Sequence, residues 1–299
     1  MSPWTRSPST VGGMPDRSAE RAADLIALRR LAGDALQVAE PVDTAPMIAE
    51  LERLAAALEE RPAAVIEDFE PVGPTSVGRP AAVTLVAPRD LKRRTWGTEA
   101  GRFATLHALA HIEANAVNLA LDAVHRFGGM PASYYRDWVR VAAEELGHFE
   151  ALCERLAEYG GAYGDLGCHD GLWDIAVRTA HDVGARMALV PLVFEARGLD
   201  VTPGLIERFE RHGDVASAEV LRIVLRDEIG HVEVGSRWFA HVCDRRGLDP
   251  TAEFERLVAE YSLLIVPPFN VEARVAAGFS EVDLHRWEAA FLGTRGTPR

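Results

Sequence analysis

Long apolar runs are missing from this chain of 299 residues. No uninterrupted stretch reaches the length that spans a bilayer, and no apolar h-region follows the N-terminus, so the sequence reads as neither membrane-embedded nor secreted. Cysteine is scarce: Cys153, Cys168 and Cys243 show no C-x-x-C spacing, which fits reduced thiols in a cytoplasm. Positive charge is in deficit, 32 Lys and Arg against 45 Asp and Glu, and the net charge of −13 disfavours sequence-independent binding to nucleic acid or an anionic membrane. G-x-G-x-x-G, P-loop and G-x-S-x-G patterns are absent, which leaves nucleotide-dependent and serine chemistry without footing. Strand patterning is nearly absent as well, Ala82 to Ala87 being the one short candidate.

What the chain does have is one phrase used twice. Glu144-Glu145-Leu146-Gly147-His148 recurs as Asp227-Glu228-Ile229-Gly230-His231. In each, Glu and His stand three residues apart and project from one helix face. A lone glutamate precedes each copy, Glu113 by 32 residues and Glu195 by 33. All four glutamates interrupt apolar stripes that should face a core: Leu106 and Val117 flank Glu113, Trp138 and Leu152 flank Glu145, Leu192 and Leu199 flank Glu195, Leu221 and Val232 flank Glu228. An ionised carboxylate buried without a partner is too costly to keep. Mutual ion pairing is the bland alternative, but the stripes hold no Lys or Arg to provide it. Inward carboxylates with two imidazoles therefore call for transition-metal cations.

The spacing predicts an all-α chain with two helical hairpins joined as a four-helix bundle. The expected organisation is a disordered tail over 1–19, N-terminal helices and an extended connection over 20–100, the di-metal bundle over 101–250, and a C-terminal helix and tail over 251–299. Two amphipathic helices are expected from Ala22 to Glu40 and from Pro46 to Glu60, and the connection carries the basic cluster Lys92-Arg93-Arg94. In the bundle, helix one runs from Thr105 to Phe127, and helix two is capped by Ser133 and reaches Tyr159. Helix three runs from Leu172 to Arg197, is kinked at Pro191 and stops at Gly198, and a short helix from Gly204 to Arg211 follows it. Helix four is capped by Asp214 and ends near Gly247, and a fifth helix extends from Thr251 to Pro267-Pro268.

With these motifs in place the sequence resembles the ferritin-like di-iron carboxylate superfamily. More narrowly, Ala110-His111-Ile112-Glu113, the two E-x-G-H phrases and Phe194-Glu195-Ala196-Arg197-Gly198-Leu199-Asp200 look like an uncharacterised bacterial ferritin-like family over about residues 78–280. The resemblance implies a ferritin-like bundle holding two iron ions, or manganese with iron. It implies metal ligation by Glu113, Glu145, His148, Glu195, Glu228 and His231, with Glu145 and Glu228 bridging and Glu113 and Glu195 terminal. In related sites each ligand imidazole donates its second N–H to an acid of the opposite helix, which assigns Asp227 to His148 and Glu144 to His231. Ribonucleotide reductase small subunits share this order but need a radical tyrosine, and one turn after each histidine stand Leu152 and Gly235 instead.

Weaker candidates carry bland readings beside the functional ones. Gly147 and Gly230 serve close helix packing or leave open space above the metals; His107 and His111 form an extra metal face or are packing residues; Cys168-His169 is a ligand pair or merely loop. Arg186 and Arg197 pair with site carboxylates or an acidic substrate, or are solvated. The leading function is a dioxygen-dependent di-iron oxidase or hydroxylase with an organic small-molecule substrate, drawing electrons from an external ferredoxin or reductase. The alternatives are a metal-handling ferroxidase or peroxide scavenger, a tRNA-modifying hydroxylase, and a bundle whose surface binds a partner; a homodimer is compatible with all of them. The stretch after the fifth helix, with the connection before Gly101, is expected to wall a substrate pocket or simply to pack.

Overall fold

A computed structural model describes residues 17–58, 76–92 and 94–295. Residues 1–16 of the expected tail, 59–75 of the connection and Arg93 of the basic cluster lie outside the described residues. The protein is all-α: four helical arms form the bundle, and further helices pack on it from both ends of the chain.

The first hairpin is α3 (Glu99–Arg126) and α4 (Ala132–Glu158), packed along their lengths. Thr98 starts α3 by accepting from the Gly101 N–H at 3.1 Å, and Gly101 has to be glycine because a Cβ there would lie 2.1 Å from the Thr95 carbonyl. Between the helices Gly129 takes φ +68°, and Pro131, not the expected Ser133, is the N-cap residue of α4. The second hairpin ends in the 32-residue α8 (Val215–Arg246), capped by Asp214 and closed by Gly247 at φ +66°. Packing of α4 on α8 joins the two hairpins.

The third arm departs from expectation. The stretch expected as one helix from Leu172 to Arg197 is α5 (Gly171–Arg178), then α6 (Val183–Leu189), then a π-helical turn over Val190–Glu195 that runs into α7 (Ala196–Arg211). Asp182 breaks the first part by capping α6 through the Gly184 N–H at 2.8 Å. Pro191 has no N–H to continue an α-helical ladder, and the backbone widens into the π turn rather than kinking. Gly198 does not stop the helix, because α7 must continue for Leu199, Ile206 and Phe209 to reach the core. Pro203 lies inside α7 and deprives the Leu199 carbonyl of its ladder partner; the Asn270 side chain donates to that carbonyl at 3.2 Å instead. The expected separate helix from Gly204 is therefore the second half of α7.

The N-terminal helices α1 (Arg17–Ala35) and α2 (Ala45–Ala57) cover α3 and α4. Arg29 Nε donates to the His125 carbonyl at 3.0 Å, and His125 Nδ1–H returns a bond to the Arg29 carbonyl at 2.8 Å. The described part of the connection crosses α3, and its expected strand is reduced to a single parallel bridge between Leu85 and Cys168. The fifth helix is shorter than expected: α9 (Pro250–Glu260) ends where Ser262 takes φ +56° and the Leu263 N–H reaches back to the Val258 carbonyl. Two helices follow, α10 (Val271–Ala276) and α11 (Glu281–Arg295). Arg274 of α10 forms a buried ion pair with Asp200 of α7 at 2.7 Å, which fastens the tail to the bundle. Among the described residues no helix is long and apolar enough to cross a membrane.

Candidate metal centre

Helix periodicity carries Glu113 on α3, Glu145 and His148 on α4, and Glu228 and His231 on α8 to the buried bundle interior, while Glu195 at the end of the π turn is half-buried. His148 Nδ1 lies 3.2 Å from Glu145 Oε2 and 3.6 Å from Glu113 Oε2. His231 Nδ1 lies 2.9 Å from Glu145 Oε1 and 3.7 Å from Glu228 Oε2. Two Glu/Glu/His triads result, Glu113–Glu145–His148 and Glu145–Glu228–His231, each with its ligand atoms within 4.8 Å of one another. Glu145 stands in both and presents one oxygen to each. Glu228 stands only in the second and Glu195 in neither, although Glu195 is close enough for the Glu145 and His231 charges to act on it.

The polar atoms here lack the partners that burial demands. Ten buried side-chain N or O atoms among the described residues have no hydrogen bond, and five belong to this cluster: Glu113 Oε2, Glu145 Oε1, Glu195 Oε2, Glu228 Oε2 and His231 Nδ1. Glu145 Oε1 and His231 Nδ1 are only 2.9 Å apart yet are not aligned to bond, so both atoms face shared space. Orphaned acceptors converging from four helical arms are what a pair of cations would satisfy, and the N/O donor set suits iron or manganese. The residues present fit a di-metal cofactor.

Without cations, protons share the cluster unevenly. Burial and the Glu145 charge push Glu113 and Glu195 each up to about 8. The same two causes hold Glu228 well above the carboxylate range. Burial alone would raise Glu145 too, but the His231 charge and the hydrogen bond with His148 outweigh it and keep this carboxyl far below its usual range. Burial opposes charge on His148, yet the adjacent Glu113 and Glu145 carboxylates lift it to about 11; the Glu145 charge and the Glu144 hydrogen bond likewise lift His231. These shifts favour charge on Glu145, which lies between two rings whose centroids are 5.7 Å apart, over charge on the other three carboxyls.

The outer nitrogens are engaged across the bundle. His148 Nε2–H donates to Asp227 Oδ2 at 3.2 Å, and His231 Nε2–H donates to Glu144 Oε2 at 2.8 Å. Each acid comes from the helix opposite its histidine, so both rings turn Nδ1 towards the carboxylates. Arg226 grips Asp227 and Arg140 grips Glu144, pairs that periodicity did not single out.

Other candidates fall elsewhere. His107 Nε2 accepts the Gly164 N–H at 2.9 Å, while His111 Nε2–H donates to the His169 carbonyl and its Nδ1 accepts from Tyr163. Both histidines pin the 163–169 loop to α3; with burial holding His111 down at about 4, they are neutral clamps and not a metal face. Cys168 lies in that loop, its thiol raised to about 11 by burial. Arg186 is spent on buried Asp122 at 2.6 Å, and Arg197 on Asp200 and the Val266 carbonyl. A Cβ on Gly147 or Gly230 would meet nothing within 4 Å, so neither glycine serves close packing, and Gly147 borders a cleft of about 310 Å³ beside His148 and Asp227. Close packing belongs to Gly235 instead, where a Cβ would lie 2.1 Å from Pro191 Cβ. The glycine where a radical tyrosine would be needed is thus what seats the π turn carrying Glu195. Pro191 was a visible signal, but nothing in the sequence ties it to Gly235.

Residues 41–285 match the family described as "Protein of unknown function (DUF455)". A relative from Haemophilus influenzae, described as an uncharacterized protein, is 45% identical over 229 residues, covering 73% of this chain and 80% of its own. No solved structure matches the chain.

Proposed function

The chain belongs to the DUF455 family and carries a ferritin-like di-iron carboxylate domain, and we propose that it is a dioxygen-dependent oxidase or hydroxylase of a small organic substrate. The orphaned, converging donor atoms of the cluster carry this reading. Glu113 and His148 would hold one iron, Glu228 and His231 the other, and Glu145 both, with Glu195 approaching the second position from the π turn. Two iron ions, or manganese with iron, would supply one-electron redox chemistry and affinity for dioxygen when bound. Six protein donors leave coordination positions for exogenous ligands, which a structural site would close. Asp227 and Glu144 fix each imidazole so that Nδ1 faces inward, and the apolar stripes around the glutamates exclude bulk water. Electrons come from an external ferredoxin or reductase.

The metal-handling alternative is disfavoured by a cavity of about 680 Å³ roofed by the connection, which a ferroxidase acting on iron alone does not require. Anaerobic reconstitution with ferrous iron followed by exposure to air tests the reading. Two irons per chain and a ferric absorbance band that stops at that stoichiometry are expected; continued oxidation and mineralisation of excess iron would identify a storage protein instead.

A further inference from the structure

The cavity of about 680 Å³ lies between residues 84–92 with Arg94, the 165–169 loop and Leu172 of α5, and one face of α3. Its wall includes Ile112 and Phe194, the residues that immediately precede Glu113 and Glu195, so it abuts the backbone of two arms of the metal centre. Two features of its polar lining stand out. Asn115 is 2% exposed, and its amide donates to the His111 carbonyl at 2.8 Å, which fixes the amide orientation and leaves Oδ1 as a buried acceptor without a donor. Such an atom costs about 1–3 kcal/mol unless something bonds to it. The second feature is cationic. Lys92, the single lysine of the whole sequence, and Arg94 both line the cavity, and neither makes an ion pair among the described residues. Neither acid that shares the lining is paired with them: Asp165 accepts the Ala162 N–H at 2.7 Å, and Asp90 pairs with Arg89 at 3.9 Å. Apolar side chains such as Leu91, Leu166 and Leu172 make up much of the remainder.

We infer that this cavity is the substrate site and that it selects an amphipathic organic acid, its anionic group held by Lys92 and Arg94 and a hydroxyl or amine donor bonded to Asn115 Oδ1. The inference rests on the oxidoreductase reading above and deepens it by naming the substrate class. An apolar body would lie along the α3 face, bringing it beside Ile112 and Phe194 and so towards Glu113 and Glu195.

The test uses the full chain, iron-loaded and kept anaerobic, with three flexible probes: ω-hydroxydecanoate, decanoate and decanediol. Calorimetry should show ω-hydroxydecanoate binding most tightly, with each probe that lacks one polar end weaker by about tenfold. The exposed double variant Lys92→Ala/Arg94→Ala should reduce the hydroxy acid to the affinity of the diol, and Asn115→Leu should erase the difference between hydroxy acid and decanoate. Because Lys92 is the only side-chain amine, its labelling by an amine reagent, read by peptide mass, should slow when ω-hydroxydecanoate is present. A diol that binds as tightly as the hydroxy acid, or Lys92 labelling indifferent to the acid, overturns the assignment. Iron content and the ferric band, measured on the same samples, separate the two readings. A protein that loads two irons and reacts with air but fails the probe tests loses the pocket alone. One that binds the probes as described without loading iron keeps the pocket and loses the oxidoreductase.

Discussion

At the residue scale Glu145 is the pivot, since it alone stands in both triads. Glu145→Ala should therefore abolish binding of both metals, whereas Glu228→Gln should lose the second position and weaken the first; metal content by elemental analysis distinguishes them. Glu228→Gln also separates metal from stability. Burial and the Glu145 charge hold the Glu228 carboxyl well above its usual range, which favours its neutral form in the folded metal-free protein, the form glutamine mimics. The metal-free variant should melt at or above the temperature of the parent.

The same displacements set a pH dependence whose sign is fixed. Glu113, Glu195 and Glu228 are raised above 4.5, and His148 and His231 above 6.5, so these five groups bind more protons in the folded metal-free chain than in the unfolded one, whereas buried His107, His111 and His125 bind fewer. The stability these five groups contribute falls as pH rises, from about pH 4.5 through 8 for the carboxyls and from about 6.5 towards 11 for His148. Cations need those groups deprotonated, so metal affinity rises with pH, up to about tenfold per unit for each proton displaced. The gain in melting temperature on adding metal should accordingly widen between mildly acidic and mildly alkaline buffer. A gain that shrinks with rising pH would contradict the proton inventory.

At the scale of elements, the two hairpins and the inward glutamates were legible because a 3.6-residue apolar period and the repeated Glu-x-x-His both survive in one sequence. The third arm was not. Pro191, Gly198 and Pro203 all read locally as breakers, and only tertiary partners keep the chain helical past them: Gly235 makes room for Pro191, and Asn270 answers the Leu199 carbonyl. Those partners lie 44 and 71 residues away, beyond any local pattern. Gly235→Ala tests this coupling. Its Cβ would force Pro191 and the π turn outward, costing about 1–3 kcal/mol of stability as overpacking does, and it should lower occupancy of the second metal position by displacing Glu195. Unchanged metal content in a folded Gly235→Ala protein would show that the π turn does not set Glu195.

At the scale of the molecule, the extensions do different things. The connection before Gly101 lines the cavity of about 680 Å³, while the tail after α9 lines neither that cavity nor the cleft of about 310 Å³ and packs on α7 and α8. Its anchor is Arg274, whose guanidinium meets Asp200 in a buried pair and lies over the Phe269 and Phe279 rings. Arg274→Met leaves Asp200 buried with its strongest partner gone and should destabilise the fold by about 3–5 kcal/mol in chemical denaturation, with two metals still bound. Loss of metal at equal stability would place the tail in the centre after all.

Two metals sitting around Glu145 is what the cluster geometry calls for. Anomalous diffraction at the iron edge from crystals of the reconstituted protein tests it most directly. Two peaks about 3.5–4 Å apart are expected, as in other two-metal sites, one within bonding distance of Glu113 and His148, the other of Glu228 and His231, with Glu145 touching both. A single peak, or peaks away from Glu145, would contradict it.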